Sequence, residues 1–328
     1  MKPLNKNRLL KRAAAAVFTL MPLLASASAS AFPTKPITLV VPFPPGGGND
    51  QVGRLVGDYL SKELNVPVVV ENKGGAGGNI GTAAAARSAP DGYTIAIASN
   101  QVVINTSLYS NVGFDLHKDL RPVAMVADVQ FLLVSHPSTG LKSVDDILQT
   151  VKVKGEQLNH GTPGNGTPQH LSAELFSVLT GAKLTHIPYR GSGPAIADTL
   201  GGHIQLAFGT LPAVAPHVQA QSLNAIAVTG TARSLLLPQV PTMAEAGVAG
   251  YESSTWYGIL APAKTPDDVV ATLTEALKRV TDSAEFRQKL AELGYETRYL
   301  NAEEMQSVMN ADEAKWARII KDVGIKIE

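Results

Sequence analysis

Three loops rich in glycine and proline carry the residue types that could hold a negatively charged ligand. They are Phe43-Pro-Pro-Gly-Gly-Gly-Asn-Asp50, Gly161-Thr-Pro-Gly-Asn-Gly-Thr-Pro168 and Tyr189-Arg-Gly-Ser-Gly-Pro194. The first and third loops follow apolar runs, all three enter a helical pattern, and Thr167 is a candidate N-cap with His170 one turn inside its helix. Glycines let the backbone approach a ligand, and a helix N-terminus offers unpaired N–H groups with a partial positive charge. The predicted chemistry is anion binding by backbone amides.

The same residues also have ordinary structural interpretations. A glycine triplet before a helix is about as often a tight turn as a ligand loop, and Asn49 and Asp50 are equally well explained as helix caps. His170 fits the surface or the cap of a helix, and Arg190 fits an ion pair with a nearby acid such as Asp198. The residue patterns alone leave both interpretations open.

Sequence motifs of the common enzyme classes are missing. The chain has no Cys, no phosphate-binding loop with Gly-Lys-Ser/Thr, no His-Glu-x-x-His and no Gly-x-Ser-x-Gly. The segment Gly74–Gly81 lacks the glycine spacing of a dinucleotide fingerprint, and the seven His residues show no metal-ligand spacing. We therefore expect no cofactor, no metal and no catalysis. The alternative of an exported hydrolase requires Ser192 to meet His170 in the cleft.

Composition and the N-terminus set the class and the compartment. The chain has 328 residues, 45% of them hydrophobic, and equal numbers (28) of basic and acidic residues, which excludes disorder and disfavours nucleic-acid binding. Basic residues precede a short apolar run and Ala29-Ser30-Ala31, which is the pattern of a cleaved signal peptide over residues 1–31. Its removal takes away five positive charges and leaves a net charge of −5. We expect a soluble, exported, monomeric protein without disulfides.

Short apolar strands alternate with amphipathic helices along the chain. This alternation predicts an α/β protein with two lobes, each a mostly parallel sheet flanked by helices. The predicted strands lie at 37–42, 66–71, 93–98, 131–135, 184–188, 204–208 and 223–228. The predicted helices lie at 50–64, 143–153, 168–180 and 194–200.

The C-terminal part is rich in helices. Thr265-Pro266 predicts the start of one helix, with the Thr265 hydroxyl as its cap and Pro266 at its first position. Asn301 with Glu304 predicts a capping box before a second helix that ends at Gly324. Because these helices have too few strands to form a lobe, we expect them to pack on the first lobe. The predicted domains are therefore 32–130 with 255–328 for the first lobe and 131–254 for the second.

Several ordered motifs resemble one family across nearly the whole mature chain. They are Pro36-Ile-Thr-Leu-Val-Val-Pro-Phe-Pro-Pro-Gly-Gly-Gly-Asn-Asp50, Val69-Val-Glu-Asn-Lys-Gly-Gly-Ala-Gly-Gly-Asn-Ile-Gly81, Ala89-Pro-Asp-Gly-Tyr-Thr94, His186-Ile-Pro-Tyr-Arg-Gly-Ser-Gly-Pro-Ala195, Pro241-Thr-Met-Ala-Glu-Ala-Gly247 and Trp256-Tyr-Gly-Ile-Leu-Ala-Pro262. Together they resemble the receptors of tripartite tricarboxylate transporters, the Bug-type extracytoplasmic solute receptors. The glycine triplet and Asn49 stand where many relatives have two glycines and variable residues.

The resemblance implies a type II periplasmic-binding-protein fold that closes on a small di- or tricarboxylate or aromatic acid and delivers it to the permease subunits of such a transporter. An alternative is a ligand-sensing partner of a membrane sensor kinase. Carried over by matching motif or by position at a strand end, the expected ligand contacts are Phe43, Pro45, Gly46, Gly47, Gly48, Asn49, Asp50, Ser99, Asn100, Asn165, Thr167, His170, Arg190, Gly191, Ser192 and Thr210.

Overall fold

The first sheet begins with three parallel strands. The computed structural model describes residues 32–325, so the predicted signal peptide over residues 1–31 lies outside the described residues. Strand β1 (Ile37–Val41) lies between β2 (Val68–Asn72) and β3 (Thr94–Ser99) and pairs in parallel with both. The helices of this part are α1 (Gly48–Leu64), α2 (Asn79–Ala86), α3 (Gln101–Leu108) and α4 (Leu116–Asp119).

Two long strands carry the chain between the sheets. Strand β4 (Leu120–Ser135) pairs with β9 (Ser254–Pro262), and β9 also pairs with β3; both pairings are antiparallel. Strand β10 (Glu296–Asn301) adds a further antiparallel partner to the first half of β4. The second half of β4, from Phe131 onward, belongs to the other sheet. The predicted domain change at residue 131 therefore falls inside one continuous strand.

The second sheet repeats the parallel arrangement. Strand β5 (Asn159–Thr162) pairs in parallel with β6 (Thr185–Pro188) and β7 (Leu206–Thr210), while β7 and β8 (Asn224–Val228) pair antiparallel with β4. The strand order is β2-β1-β3-β9-β4-β7-β5-β6, with β8 and β10 also on β4. The helices of this part are α5 (Val144–Leu148), α6 (Pro168–Thr180), α7 (Ser192–Leu200) and α8 (Leu211–Gln219).

The α/β prediction is confirmed, but both sheets are mixed rather than mostly parallel. The antiparallel pairs all involve β4 or β9, the strands that run between the sheets. The apolar pattern predicts only the last residues of β4, and it misses β5, β9 and β10 entirely. Strands β5 and β10 have polar sequences, Asn-His-Gly-Thr and Glu-Thr-Arg-Tyr-Leu-Asn. They are strands because they pair with neighbouring strands, and their composition does not predict this.

The C-terminal helices are α9 (Asp267–Asp282), α10 (Ala284–Glu292) and α11 (Ala302–Val323). The predicted capping box of Asn301 and Glu304 is present, and Gly324 ends α11 in the left-handed conformation. The predicted cap at Thr265 is wrong, because Pro266 occupies the N-cap and the buried Thr265 hydroxyl has no hydrogen-bond partner among the described residues.

The packing of these helices only partly follows the expectation. Helix α9 packs on α1 of the first lobe, whereas α11 contacts α3, β4 and also α6 of the second lobe. Residues from Lys35 onward form one compact unit. None of the helices within 32–325 has the length and apolar character needed to cross a bilayer.

Candidate functional site

A cavity of about 650 Å³ lies between the two lobes and is surrounded by helix N-termini. Gly47 and Gly48 open α1, Gln169 lies in the first turn of α6, and Ser192 opens α7. Helix α8 follows Thr210, which also lines the cavity. Because each N-terminus presents unpaired N–H groups and partial positive charge, the four together form an anion-binding environment.

The buried carboxylate of Asp50 fixes the first loop by accepting hydrogen bonds. Its Oδ2 accepts hydrogen bonds from the Gly46 backbone N–H at 2.9 Å and Arg54 Nε at 3.0 Å, and its Oδ1 accepts one from Asn72 Nδ2 at 2.8 Å. The hydrogen bond from Arg54 is the main cause that lowers the pKa of Asp50 to about 2. Asn72 Nδ2 also donates to the Phe43 carbonyl oxygen, so the carboxylate fixes both ends of the loop.

The second lobe supplies the opposite wall through α7 and α8. Gly191 is the N-cap of α7 with φ of 114°, a left-handed backbone that favours glycine, and Ser192 and Gly193 follow it into the cavity wall. Thr210 is the N-cap of α8, yet its side chain makes no capping hydrogen bond. The Thr210 hydroxyl is therefore available to a ligand.

Two tyrosines close the cavity on the first-lobe side. Tyr257 lies on β9 and Tyr295 lies just before β10, with their ring centroids 5.6 Å apart. The Tyr295 hydroxyl donates to Gln51 Oε1 at 2.9 Å, and the Tyr257 hydroxyl lies against Gly48. Burial raises the pKa of Tyr295 to about 12 and raises that of Tyr257 well above its usual range, so both hydroxyls stay protonated.

Charge around the cavity is sparse. Within residues 32–325, no Lys, Arg or His side chain lines it, and Glu292 is the only acid in its wall. A bound anion would therefore meet helix ends, hydroxyls and amides instead of a cationic side chain. The sequence-based expectation of a grip by backbone amides is consistent with this lining.

The structure brings only part of the predicted contact set to the cavity wall. The predicted residues in the wall are Gly46, Gly47, Gly48, Ser192 and Thr210. The predicted residues outside this wall are Phe43, Pro45, Asn49, Asp50, Ser99, Asn100, Asn165, Thr167, His170, Arg190 and Gly191. Ligand contact by the residues of this second group remains a prediction.

Several of the predicted residues outside the cavity wall form hydrogen bonds that shape the loops. Thr167 caps α6 as predicted, by accepting from the His170 backbone N–H. Asn100 is fully buried, and its Nδ2 donates to the Ser254 carbonyl oxygen at 2.7 Å. Asp198 accepts from the Tyr189 hydroxyl at 2.7 Å. No ion pair between Asp198 and Arg190 is found in the described part of the chain, so that proposed pairing is wrong.

Three stacked histidines support the second loop from inside the lobe. The His170 ring lies 3.8 Å from the His186 ring, and His186 lies 5.1 Å from His160. His170 Nδ1 accepts from the Gly166 N–H at 3.1 Å, and His186 Nε2 contacts Thr162 Oγ1 at 2.6 Å. Burial lowers the pKa of His160 and that of His186 to about 3. In this arrangement His170 holds the loop, and no hydrogen bond among the described residues joins it to Ser192.

Hydrogen bonding also links the lobes directly. Gln101, the first residue of α3 in the first lobe, donates from Nε2 to the Gly166 carbonyl oxygen in the second lobe at 3.2 Å. The same Nε2 donates to Asn105 Oδ1 at 2.6 Å. This contact ties the first lobe to the loop that precedes α6.

Sequence reasoning missed most of the remaining wall. The missed lining residues are Gln51, Gln169, Gly193, Pro212, Ala213, Tyr257, Glu292, Leu293 and Tyr295. Of these residues, Pro212 could have been found from the sequence. The segment Thr210-Leu-Pro212 follows a strand and enters a helix through a proline, as the predicted loops do. The tyrosines and Glu292 had no such signal, since they reach the cavity from elements far away in the sequence.

The fold defines a class of protein, the two-lobed solute-binding proteins, and the cavity lies between its two sheets. Residues 52–325 match the family model described as the tripartite tricarboxylate transporter family receptor. The chain belongs to this family, as the resemblance of its motifs predicts. Because the family is one of substrate-binding receptors, the prediction of a protein that is not an enzyme is confirmed, and the hydrolase alternative is set aside.

Similar proteins extend over nearly the whole chain. Protein BugT of Bordetella pertussis is 35% identical over 306 residues, which cover 93% of this chain and 94% of BugT. The solved structure of R. palustris Rpa4515 with adipate has a TM-score of 0.80 at 35% identity and covers 90% of this chain and 99% of that one. MatC (Rpa3494) from Rhodopseudomonas palustris with bound malate has a TM-score of 0.75 at 27% identity and covers 88% of this chain and 100% of MatC. These likenesses confirm the periplasmic-binding-protein fold.

Proposed function

We propose that this protein is a periplasmic receptor that binds a small carboxylate in the cavity between the lobes and delivers it to the permease of a tripartite tricarboxylate-type transporter. The observation that carries the proposal is the convergence of four helix N-termini on one cavity in whose wall, among residues 32–325, no cationic side chain and one acid, Glu292, are found. The adipate in Rpa4515 and the malate in MatC support a carboxylate as the ligand class.

The anion would be held by charge-assisted hydrogen bonds. Amides of Gly47 and Gly48 lie on one wall, and amides of α7 and α8 with the Thr210 hydroxyl lie on the other. Each exposed helix end contributes about 0.3–1 kcal/mol toward an anion, and more where water is excluded. Four helix ends alone supply at most about 4 kcal/mol on this scale, so micromolar binding, about −8 kcal/mol, also requires hydrogen bonds to the charged carboxylate at about 1.5–3 kcal/mol each.

Closure of the two lobes would follow from the position of the ligand. The chain passes between the sheets along β4 and β9, which can serve as a hinge with the predicted lobes 32–130 plus 255–328 and 131–254 on its two sides. A ligand that contacts both walls binds the closed form more tightly than the open form. Ligand binding therefore shifts the population toward closure.

A thermal-shift screen tests the ligand class. The mature chain, residues 32–328, is heated with C4 to C8 dicarboxylates, citrate, aromatic acids and amino acids, each at millimolar concentration. We expect a saturable rise in melting temperature with at least one carboxylate, because a ligand that binds only the native state stabilises it. A screen in which no carboxylate raises the melting temperature would contradict the proposal.

A transport assay tests the partner. The ligand found in the screen is supplied, radiolabelled, to a strain in which the gene is deleted and to the same strain complemented with it. We expect uptake to fall on deletion and to return on complementation. Unchanged uptake would favour the other receptor role, in which the closed form docks on a membrane sensor kinase.

A further inference from the structure

Gln169 is a buried carboxamide in the wall of the candidate site, and the protein itself gives it no hydrogen-bond partner. It is the second residue of α6 and is 8% exposed. Neither its Nε2 nor its Oε1 forms a hydrogen bond within residues 32–325. The other glutamine of the wall, Gln51, is held in place by the Tyr295 hydroxyl, which donates to its Oε1. Gln169 is therefore a carboxamide whose hydrogen-bonding capacity is unused in the unliganded protein.

The carboxamide of Gln169 opens on the cavity. Asn49 Oδ1 and Asn79 Nδ2 are examples of buried, unpaired side-chain atoms that are sealed from solvent, whereas both polar atoms of Gln169 remain in contact with solvent-accessible space. Because the residue is otherwise buried and lines the candidate site, the space that these atoms reach is the cavity. Buried polar groups are normally hydrogen-bonded, so a ligand in the cavity is the natural partner of both atoms.

The oxygen of this carboxamide is the scarcer of its two groups in the site. Among the carboxamide and carboxylate oxygens of the wall in the described chain, Gln51 Oε1 already accepts from a tyrosine hydroxyl. The Glu292 oxygens accept from Gln288 Nε2 and from Lys289 Nζ, each at 3.0 Å. Four helix N-termini, in contrast, supply N–H donors. A ligand that only accepts hydrogen bonds would therefore leave Gln169 Oε1 unpaired.

A carboxamide places an acceptor beside a donor, whichever way the group is turned. The complementary ligand group also has an acceptor beside a donor, as in a carboxylate whose neighbouring carbon carries a hydroxyl. Nε2 of Gln169 would donate to the carboxylate, and Oε1 would accept from the hydroxyl. A simple carboxylate pairs with Nε2 alone and brings its negative charge close to an unpaired oxygen.

A hydroxyl suits this position better than an ammonium group. The four helix N-termini place partial positive charge around the cavity, which disfavours a cation, and Lys289 pairs with the Glu292 carboxylate at 3.0 Å. We propose that Gln169 is a specificity-determining residue that selects 2-hydroxy carboxylates over the corresponding simple and 2-amino carboxylates. This inference rests on the proposed function, because it names the ligand class of the same site.

Isothermal titration calorimetry with matched acids tests the selection. The mature chain is titrated with malate and succinate, with 2-hydroxyadipate and adipate, and with mandelate and phenylacetate, using each enantiomer of the hydroxy acids; aspartate is the 2-amino counterpart of malate. We expect the hydroxy acid to bind at least tenfold more tightly in at least one pair, because its simple counterpart leaves the Gln169 oxygen unpaired. Absence of a tenfold preference in every pair, or tighter binding of aspartate than of malate, would overturn the inference.

One variant and a matched control assign the selection to this side chain. Gln169→Met keeps the length of the side chain but removes its donor and its acceptor, and we expect the preference for the hydroxy acid to fall to within about threefold. Its melting temperature without ligand should be unchanged or higher, because no hydrogen bond within the protein is lost. The exposed Gln157→Met should retain the full preference. A preference that persists in Gln169→Met, or one that is lost together with a lower melting temperature, would overturn the role of Gln169.

The outcomes separate this inference from the proposed function. Simple acids that bind as tightly as their hydroxy counterparts would overturn the role of Gln169 and leave the carboxylate receptor standing. Absence of binding by every acid in the thermal-shift screen and in these titrations would contradict both.

Discussion

The hydroxyl of Tyr257 lies so close to Gly48 that a β-carbon at position 48 would overlap it. The first residue of α1 and the middle of β9 are thereby packed against each other at the edge of the cavity. Only glycine permits this approach, and the approach places the Tyr257 ring beside the amides that open the helix.

Gly48→Ala should therefore destabilise the protein. We expect a loss of about 1–3 kcal/mol in the free energy of unfolding, since the fully packed Tyr257 must move. Gly47→Ala is the matched control, because Gly47 has φ of −82° and no atom within 4 Å of an added β-carbon. Urea denaturation measures both, and equal stabilities for the two variants would contradict the close packing.

Asp50→Ala should affect both stability and binding. The sequence suggests a ligand contact whose loss leaves the melting temperature unchanged, but the carboxylate is 4% exposed and accepts from Gly46, Arg54 and Asn72. We expect a loss of about 1–3 kcal/mol in stability, because the protein loses the three hydrogen bonds that the charged carboxylate accepts. Asp58→Ala, on the exposed side of the same helix, should change stability by less than about 0.5 kcal/mol.

The pH dependence of the Asp50 contribution has a definite sign. Its pKa is lowered to about 2 from 3.8, so its stabilisation is present above about pH 4 and is lost as the pH falls toward 2. Denaturation curves at pH 6 and pH 3 should therefore differ less for Asp50→Ala than for the unchanged protein. An identical pH dependence in the two proteins would show that the carboxylate is not held as described.

His160→Phe should stabilise the protein and flatten its response to acid. Both ring nitrogens of the fully buried His160 lack hydrogen-bond partners in the described chain, and its pKa is lowered to about 3, first by burial and then by the charges of His186 and His170. The unfolded state binds a proton below pH 6.5, so native stability falls between pH 6.5 and 3. Urea curves at pH 7 and 5 should show a smaller difference in the variant. A larger difference would contradict the buried neutral ring.

Ala213→Asp separates stability from binding. Ala213 is in the first turn of α8, where a carboxylate complements the helix end and should leave stability unchanged or raise it by up to about 1 kcal/mol. The same charge in the cavity wall should weaken binding of the carboxylate found in the thermal-shift screen at least tenfold, while the uncharged Ala213→Asn should bind it within a few fold of the unchanged protein. Calorimetry measures the carboxylate affinity of both variants. Equal affinities would contradict an anion site at this helix end.

The local parts of the fold are predictable from the sequence because they depend on local chemistry. The cap at Thr167, the capping box at Asn301 and the glycine end at Gly324 all arise from contacts between residues a few positions apart. The strands missed by the pattern, such as β5 and β10, are polar and are defined by pairing with distant strands. Composition cannot reveal such pairing.

The candidate site also combines features set by local sequence with features set by distant residues. The glycine-rich loops predicted from the sequence reach the cavity wall at Gly46–Gly48 and Ser192, because a helix N-terminus after a strand is a local signal. The roles of Asp50 and His170 as supports of their loops depend on partners such as Asn72 and His186, which are distant in sequence. A residue type can suggest a ligand contact, but only the fold shows which groups its atoms already bind.

The most direct test of the central claim compares an anion with its uncharged counterpart. Adipate and adipamide have the same carbon skeleton and differ in the charge of their end groups, and each is titrated into the mature chain by calorimetry, with malate as a second acid. We expect saturable binding of at least one acid and at least tenfold weaker binding of the diamide, because the helix N-termini select negative charge. Failure of both acids to bind, or binding of adipamide as tight as that of adipate, would contradict it.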